Sequence, residues 1–180
     1  MLNYLESIEQ LSFSLNLHKG GITDFAREIL ITATKTLNCN NSSIWLFEQN
    51  QTKLTSLLAY KRSGNKFVNL PSLDIAQLPK YFDTLIQNKI VITNDTMNAP
   101  LMSELLESYI IPNKITSMLD VPLRSEGKMI GVMCFEYVTD PHKWTHDEKR
   151  FSQSLAQLFS LALETKKKRE YRIALEKIII

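Results

Sequence analysis

Apolar positions along the chain change their spacing repeatedly, and each change marks a change of element. Tyr4, Ile8, Leu11 and Leu15 are spaced four, three and four apart, which predicts a first helix over 3–17 with a heptad-like seam. Gly20-Gly21 breaks that pattern. Ile22, Phe25, Ala26, Ile29, Leu30, Ala33 and Leu37 then share one face of a second helix, with Thr23 as its expected N-cap and Asp24 in its first turn.

After Asn38–Asn41 the residues become β-branched and aromatic. Ser43–Glu48 and Lys53–Lys61 read as strands on either side of a polar turn. A break at Ser63-Gly64-Asn65 precedes a short strand around Phe67–Leu70. Pro79 sits at an expected first helical position, with Tyr81, Phe82, Leu85 and Ile86 forming a face behind it. Ile90–Thr93 is a short strand, and Pro100 opens another short helix through Leu101, Leu105 and Tyr109.

Two longer strands, Ser117–Arg124 and Met129–Val138, flank the turn residues Ser125–Lys128 and predict a hairpin. Thr145-His146-Asp147-Glu148 matches the reciprocal capping box that opens a helix. Phe151, Leu155, Leu158, Phe159 and Ala162 supply that helix's apolar stripe. It has no stop signal before Ile178-Ile179-Ile180, which implies a helix continuing into a longer chain. This order predicts an α+β architecture, one antiparallel sheet with helices on both faces.

Composition narrows the function classes. The 180 residues suit one domain with flanking helices, and 44% apolar content is enough for a core. With 21 basic against 19 acidic residues the net charge is +2, which argues against a nucleic-acid binder driven by bulk charge. No apolar run approaches the roughly 20 residues of a membrane span, so no membrane insertion is expected. Glu6, Glu9 and Gln10 interrupt the N-terminal apolar residues, so no signal peptide is read and a cytoplasmic location is expected. Cys39 and Cys134 read as free thiols, and His18, His142 and His146 fall in turns or helix starts with no zinc spacing. No metal is indicated, and the cofactor, if any, is unknown from the sequence.

The stretch Ile90–Thr93 with Asp95, then Thr116–Leu123, Gly127, Ile130-Gly131-Val132 and Trp144-Thr145, resembles the GAF family over about residues 20–163. The resemblance implies a central six-stranded antiparallel sheet, with terminal helices on one face and a small-molecule pocket with short helices on the other. It divides the chain into a linker or dimerisation helix at 1–19, a GAF-like domain at 20–163 and a connecting helix at 164–180.

Strand alternation agrees with this. Ser117, Leu119, Val121 and Leu123, with Met133, Phe135 and Tyr137, make one largely apolar face; Met118, Asp120, Pro122 and Arg124, with Val132, Cys134 and Glu136, make a mixed one. By resemblance, Met118, Asp120, Cys134 and Glu136 line the pocket. Two carboxylates facing a cavity would need protons, basic partners or a cationic ligand; Arg124, Lys128, a loop amide or water would equally satisfy them. Asn94, Asp95, Thr96 and Met97 lie between a strand and a helix start, where ligands collect and where a plain Asx turn also fits. Phe67 and Tyr109 are candidate pocket walls or core.

The expected function is regulatory, not enzymatic: an unknown small molecule binds, and terminal helices paired in a homodimer carry the signal to an output domain in cis. The output would be a kinase, a nucleotide cyclase or a transcription factor. Two alternatives are a ligand-free GAF dimerisation spacer and a free-methionine-sulfoxide-reductase-like enzyme. The latter would need paired thiols, and 94–113 contains no Cys.

Overall fold

The computed structural model describes residues 3–17 and 21–178. His18, Gly20, Ile179 and Ile180, on which a turn, a chain break and an open helix end were expected, lie outside the described residues.

Helices α1 (Tyr4–Leu17) and α2 (Ile22–Leu37) come first, followed by strands β1 (Asn41–Phe47), β2 (Lys53–Lys61), β3 (Lys66–Val68) and β4 (Leu73–Asp74). A 3₁₀ turn at Ile75–Gln77 leads into α3 (Pro79–Gln87) and β5 (Val91–Thr93). A 3₁₀ turn (Pro100–Glu104), a π-helical turn (Leu106–Ile110) and the short α4 (Ile111–Asn113) precede β6 (Ile115–Ser125), β7 (Lys128–Val138) and α5 (His146–Ile178). The strands form one antiparallel sheet in the order β3-β2-β1-β7-β6-β5, with β4 paired to the start of β2. The sequence pattern does not indicate β4, whose two residues are too few to show an alternation.

Local chemistry sets the junctions. Glu126 and Gly127 have φ of 51° and 78°, as both central residues of the tight β6–β7 turn require. Pro79 does occupy the start of α3. The α5 capping box forms: the Thr145 amide donates to Glu148 Oε2 at 2.7 Å, and the Glu148 amide donates to Thr145 Oγ1 at 3.3 Å. Thr23 is not the cap of α2. Gly21 is extended and its carbonyl accepts from the Asp24 amide at 3.1 Å, so the cap lies two residues earlier and the helix starts without a side-chain cap.

The sheet separates two apolar cores. On one face Leu119, Val121, Leu123, Met133 and Phe135 pack under α2 and α5 through Phe25, Ile29, Leu30, Phe151, Leu155 and Phe159. The expected α1 seam is spent here, inside the protomer. Leu11 is fully buried, Ile8 and Leu15 pack against the same core, and the Tyr4 ring centroid lies 5.0 Å from that of Phe151. Leu5 and Phe13 point outward instead, 62% and 68% exposed. From Thr165 to Ile178 every residue of α5 is exposed, with Thr165, Arg169 and Ile173 flanking a surface groove opposite Leu15 and Ile22. No helix among the described residues is long and apolar enough to cross a membrane.

Candidate functional site

On the opposite face, the alternate residues of the same strands meet α3 and the segment 100–113. Met118 of β6, Val132 and Cys134 of β7, Trp45 of β1 and Leu54 of β2 form the floor of this second core. Tyr81, Phe82 and Leu85 descend from α3, and Met102, Leu105, Tyr109 and Ile110 close over it. Side chains on β6 and β7 therefore do divide as their alternation predicts, one set under the terminal helices and one under the short helices.

The space between these layers is nearly full. Trp45, Leu54, Leu73, Tyr81, Leu105, Tyr109, Met118, Val132 and Cys134 enclose only about 10 Å³, about the least that one water needs. An open groove of about 770 Å³ lies outside it, between 70–78 and 103–113. Leu73 and Tyr109 belong to both, so they form the partition between groove and cavity.

Both predicted carboxyl groups are buried on this face, immediately behind the cavity wall. Tyr81 Oη donates to Asp120 Oδ2 at 3.1 Å, while Asp120 Oδ1 has no hydrogen-bond partner. The Cys134 residue opposite Asp120 in the hairpin also lies against that carboxyl. Tyr109 Oη donates to Glu136 Oε1 at 2.5 Å, and Asn41 Nδ2 donates to Oε2 at 3.1 Å. Neither Arg124 nor Lys128 supplies a partner. Arg124 instead donates to three carbonyls ending α3, those of Leu85, Ile86 and Asn88, at 3.3, 2.7 and 3.2 Å.

Burial without a bonded cation governs the titration of the group. It pushes the Asp120 carboxyl up to about 7, against the lowering effect of Cys134 and Tyr81. Glu136 is also raised by burial, with Tyr109, Asn41 and the charge of Lys61 opposing. Burial and the adjoining carboxylates push up Tyr81, Tyr109 and Cys134. Burial likewise pushes the Cys39 thiol up to about 12.

The structure thus assembles Tyr109, Met118, Asp120, Cys134 and Glu136 around one buried site. It does not bring the other candidates to it. Phe67 belongs to the helix-side core, where its ring centroid is 5.1 Å from that of Tyr60 and the Arg27 guanidinium lies 4.6 Å above it. Asn94 Oδ1 accepts from the Trp144 amide at 3.0 Å. Asp95 caps the amides of Met97 and Asn98 at 3.2 and 3.3 Å, an Asx turn. Thr96 is buried with Oγ1 donating to the Ile115 carbonyl at 2.6 Å, and Met97 is exposed. These four anchor the loop between β5 and the cover.

Sequence reasoning missed Trp45, Leu54, Leu73, Tyr81 and Leu105 as walls. Tyr81 carried the one readable signal, a hydroxyl on an otherwise apolar helix face.

An antiparallel sheet with terminal helices on one face and a covered, carboxyl-backed cavity on the other defines a class of small α+β modules. The chain belongs to the GAF domain family, whose model matches residues 22–163. No curated protein matches it.

Among solved structures, it is similar to the GAF domain of an Acinetobacter phosphoenolpyruvate-protein phosphotransferase, at 14% identity and TM-score 0.74 over 91% of this chain and 94% of that one. It is similar to a far-red absorbing protein in its dark state with bound biliverdin IXα, at 11% identity and TM-score 0.76 over 89% and 99%. It is also similar to a domain of a putative two-component sensor histidine kinase from Sinorhizobium meliloti 1021, at 20% identity and TM-score 0.64 over 83% and 95%. At such identities the likeness is one of fold.

Proposed function

We propose that this chain is a regulatory sensor domain. A small molecule occupies the cavity between the sheet and the 100–113 cover, and the terminal helices pass the change to an output domain in cis. The observation that carries this reading is the sharing of β6 and β7 by both faces. Met118 lines the cavity and Asp120 holds its wall residue Tyr81, while Leu119 and Val121, one residue away, pack under the terminal helices. A ligand that spreads the cover from the sheet therefore acts on strands that also seat α5. It must bind one helix arrangement more tightly than another for a signal to result. The neighbours that hold biliverdin or come from a sensor kinase are consistent with this use of the fold.

The apolar residues Leu5 and Phe13 on α1, and Leu161, Tyr171, Leu175 and Ile178 on α5, remain available for pairing with a second copy. A dimer built on them would use the outward sides of both helices, since the inward α1 stripe is occupied.

One observation favours a second reading. A cavity of about 10 Å³ is what a ligand-free spacer domain would also show. The reductase reading has less support. Cys39 lies in the helix-side core and Cys134 in the other, and burial keeps both thiols protonated.

Native mass spectrometry of the purified protein, followed by a thermal-shift screen of metabolites, tests the sensor reading. A reproducible bound mass, or a metabolite that raises the melting temperature, is expected. A dimer that stays bare and unshifted through the screen would leave the spacer.

A further inference from the structure

The groove outside the cavity carries one sign of charge. Its lining includes the carboxylates Asp74, Glu104 and Glu107, and no Lys, Arg or His. Glu104 also receives the amides of Lys80 and Tyr81 at 3.2 and 3.0 Å, which holds the start of α3 against the groove. Behind the partition and the cavity wall, Tyr109 and Tyr81 hold two more carboxyl groups, Glu136 and Asp120. Arg124, the basic side chain on the same face of β6, is committed to the end of α3. The charged groups at the groove are carboxylates alone, so its field repels an anion and draws a cation toward the partition.

Two further features point to a ligand rather than to a finished core. Asp120 is fully buried and its Oδ1 has no hydrogen-bond partner, with only the Cys134 thiol lying against the same carboxyl, a costly condition unless something else completes it. Tyr109, which closes the cavity and holds Glu136, sits on the π-helical turn. There the Leu105 carbonyl is shared by the amides of Tyr109 and Ile110, at 2.9 and 3.0 Å. Single π turns gather at functional sites because their looser bonding lets a side chain be re-aimed.

We infer that the ligand of this site is a small organic cation, an ammonium or guanidinium on a short apolar body. It enters from the acidic groove, displaces the Tyr109 hydroxyl from Glu136, and sets its charge against Glu136 and Asp120. Its apolar body rests on Trp45, Leu54, Leu105, Met118 and Val132. This rests on the sensor reading and adds the chemical class of the ligand. Binding expels the proton that burial keeps on Asp120, so affinity rises with pH through neutrality. The other titratable groups facing Asp120 are Tyr81, Tyr109 and Cys134, all raised, with Glu136 diagonal to it; Lys61 acts on Glu136 from β2.

Isothermal titration of the full chain with shape-matched pairs of opposite charge tests this. The probes are 2-phenylethylammonium against 3-phenylpropanoate, and butylguanidinium against pentanoate. Saturable binding of at least one cation is expected, with about tenfold or greater preference over its carboxylate partner, and weaker binding at pH 6 than at pH 8. Asp120→Asn and Glu136→Gln each weaken it by about tenfold, and Tyr109→Phe tightens it by freeing Glu136. Glu107→Gln, on the groove, weakens cation binding without touching the core and keeps the proposal testable if a buried variant fails to fold. Carboxylate probes that bind as well as the cations, or cation binding indifferent to all four substitutions, would overturn the assignment while leaving a sensor pocket. No binding of either charge, together with a bare mass spectrum, would remove the sensor reading as well.

Discussion

Asp120→Asn isolates the energetic cost of the buried carboxyl. Folding raises this group from 3.8 to about 7, so the folded state holds a proton that the unfolded chain releases. The stability tied to that proton is complete below 3.8 and is lost as pH rises toward 7. Over the whole interval the loss amounts to about 4 kcal/mol, of which about 3 kcal/mol falls between pH 5 and pH 8.

Asn matches the shape of the protonated acid, still accepts from Tyr81, and cannot ionise. Urea unfolding of both proteins at pH 5, 6, 7 and 8 measures the difference, and Glu136 and every other titrating group is common to both. At pH 5 the variant is expected to equal the parent or fall about 1 kcal/mol below it, because its amide has only the Cys134 sulfur nearby. By pH 8 the gap moves by about 3 kcal/mol in favour of Asn. At an m-value near 2 kcal/mol/M this is a relative midpoint shift of about 1.5 M urea. A gap that stays constant from pH 5 to 8 would show that Asp120 is ionised in the folded protein, and the burial argument would be wrong.

Gly131→Ala places a Cβ 2.1 Å from the Trp45 carbonyl oxygen, a clash with backbone that cannot be relieved without parting β1 from β7. The expected loss exceeds about 3 kcal/mol, read by thermal unfolding; a variant within about 1 kcal/mol of the parent would contradict that packing. Leu11→Ala should cost about 3 kcal/mol at any protein concentration, because Leu11 packs inside the protomer. A loss that appears only as weakened self-association, by analytical ultracentrifugation, would return the α1 stripe to a dimer seam. Thr145→Ala removes one half of the α5 capping box and should lower stability by about 1 kcal/mol in urea. No change would mean that Glu148, whose two oxygens lie 3.0 Å from His142 Nε2, holds the helix start unaided.

Features carried by neighbours in the chain are legible in the sequence by itself. Periodicity locates α2, α5 and the β6–β7 hairpin; Pro79 and the Thr145–Glu148 pair mark helix starts. Alternation sorts Leu119 from Asp120 and Phe135 from Glu136, because side chains on a strand must leave on opposite faces. What each face packs against depends on residues distant in the chain. The α1 seam has the spacing of a dimer interface, and only docking on α2 and α5 shows it consumed within one protomer. Phe67 carries no mark of the face to which β3 will turn it. The carboxyl partners, Tyr81 at 39 residues from Asp120 and Tyr109 at 27 from Glu136, come from different elements, so no local spacing announces them. Cavity volume is likewise set by how side chains from β1, β2, β6, β7, α3 and the 100–113 cover interlock, and that is decided only when all of them pack together.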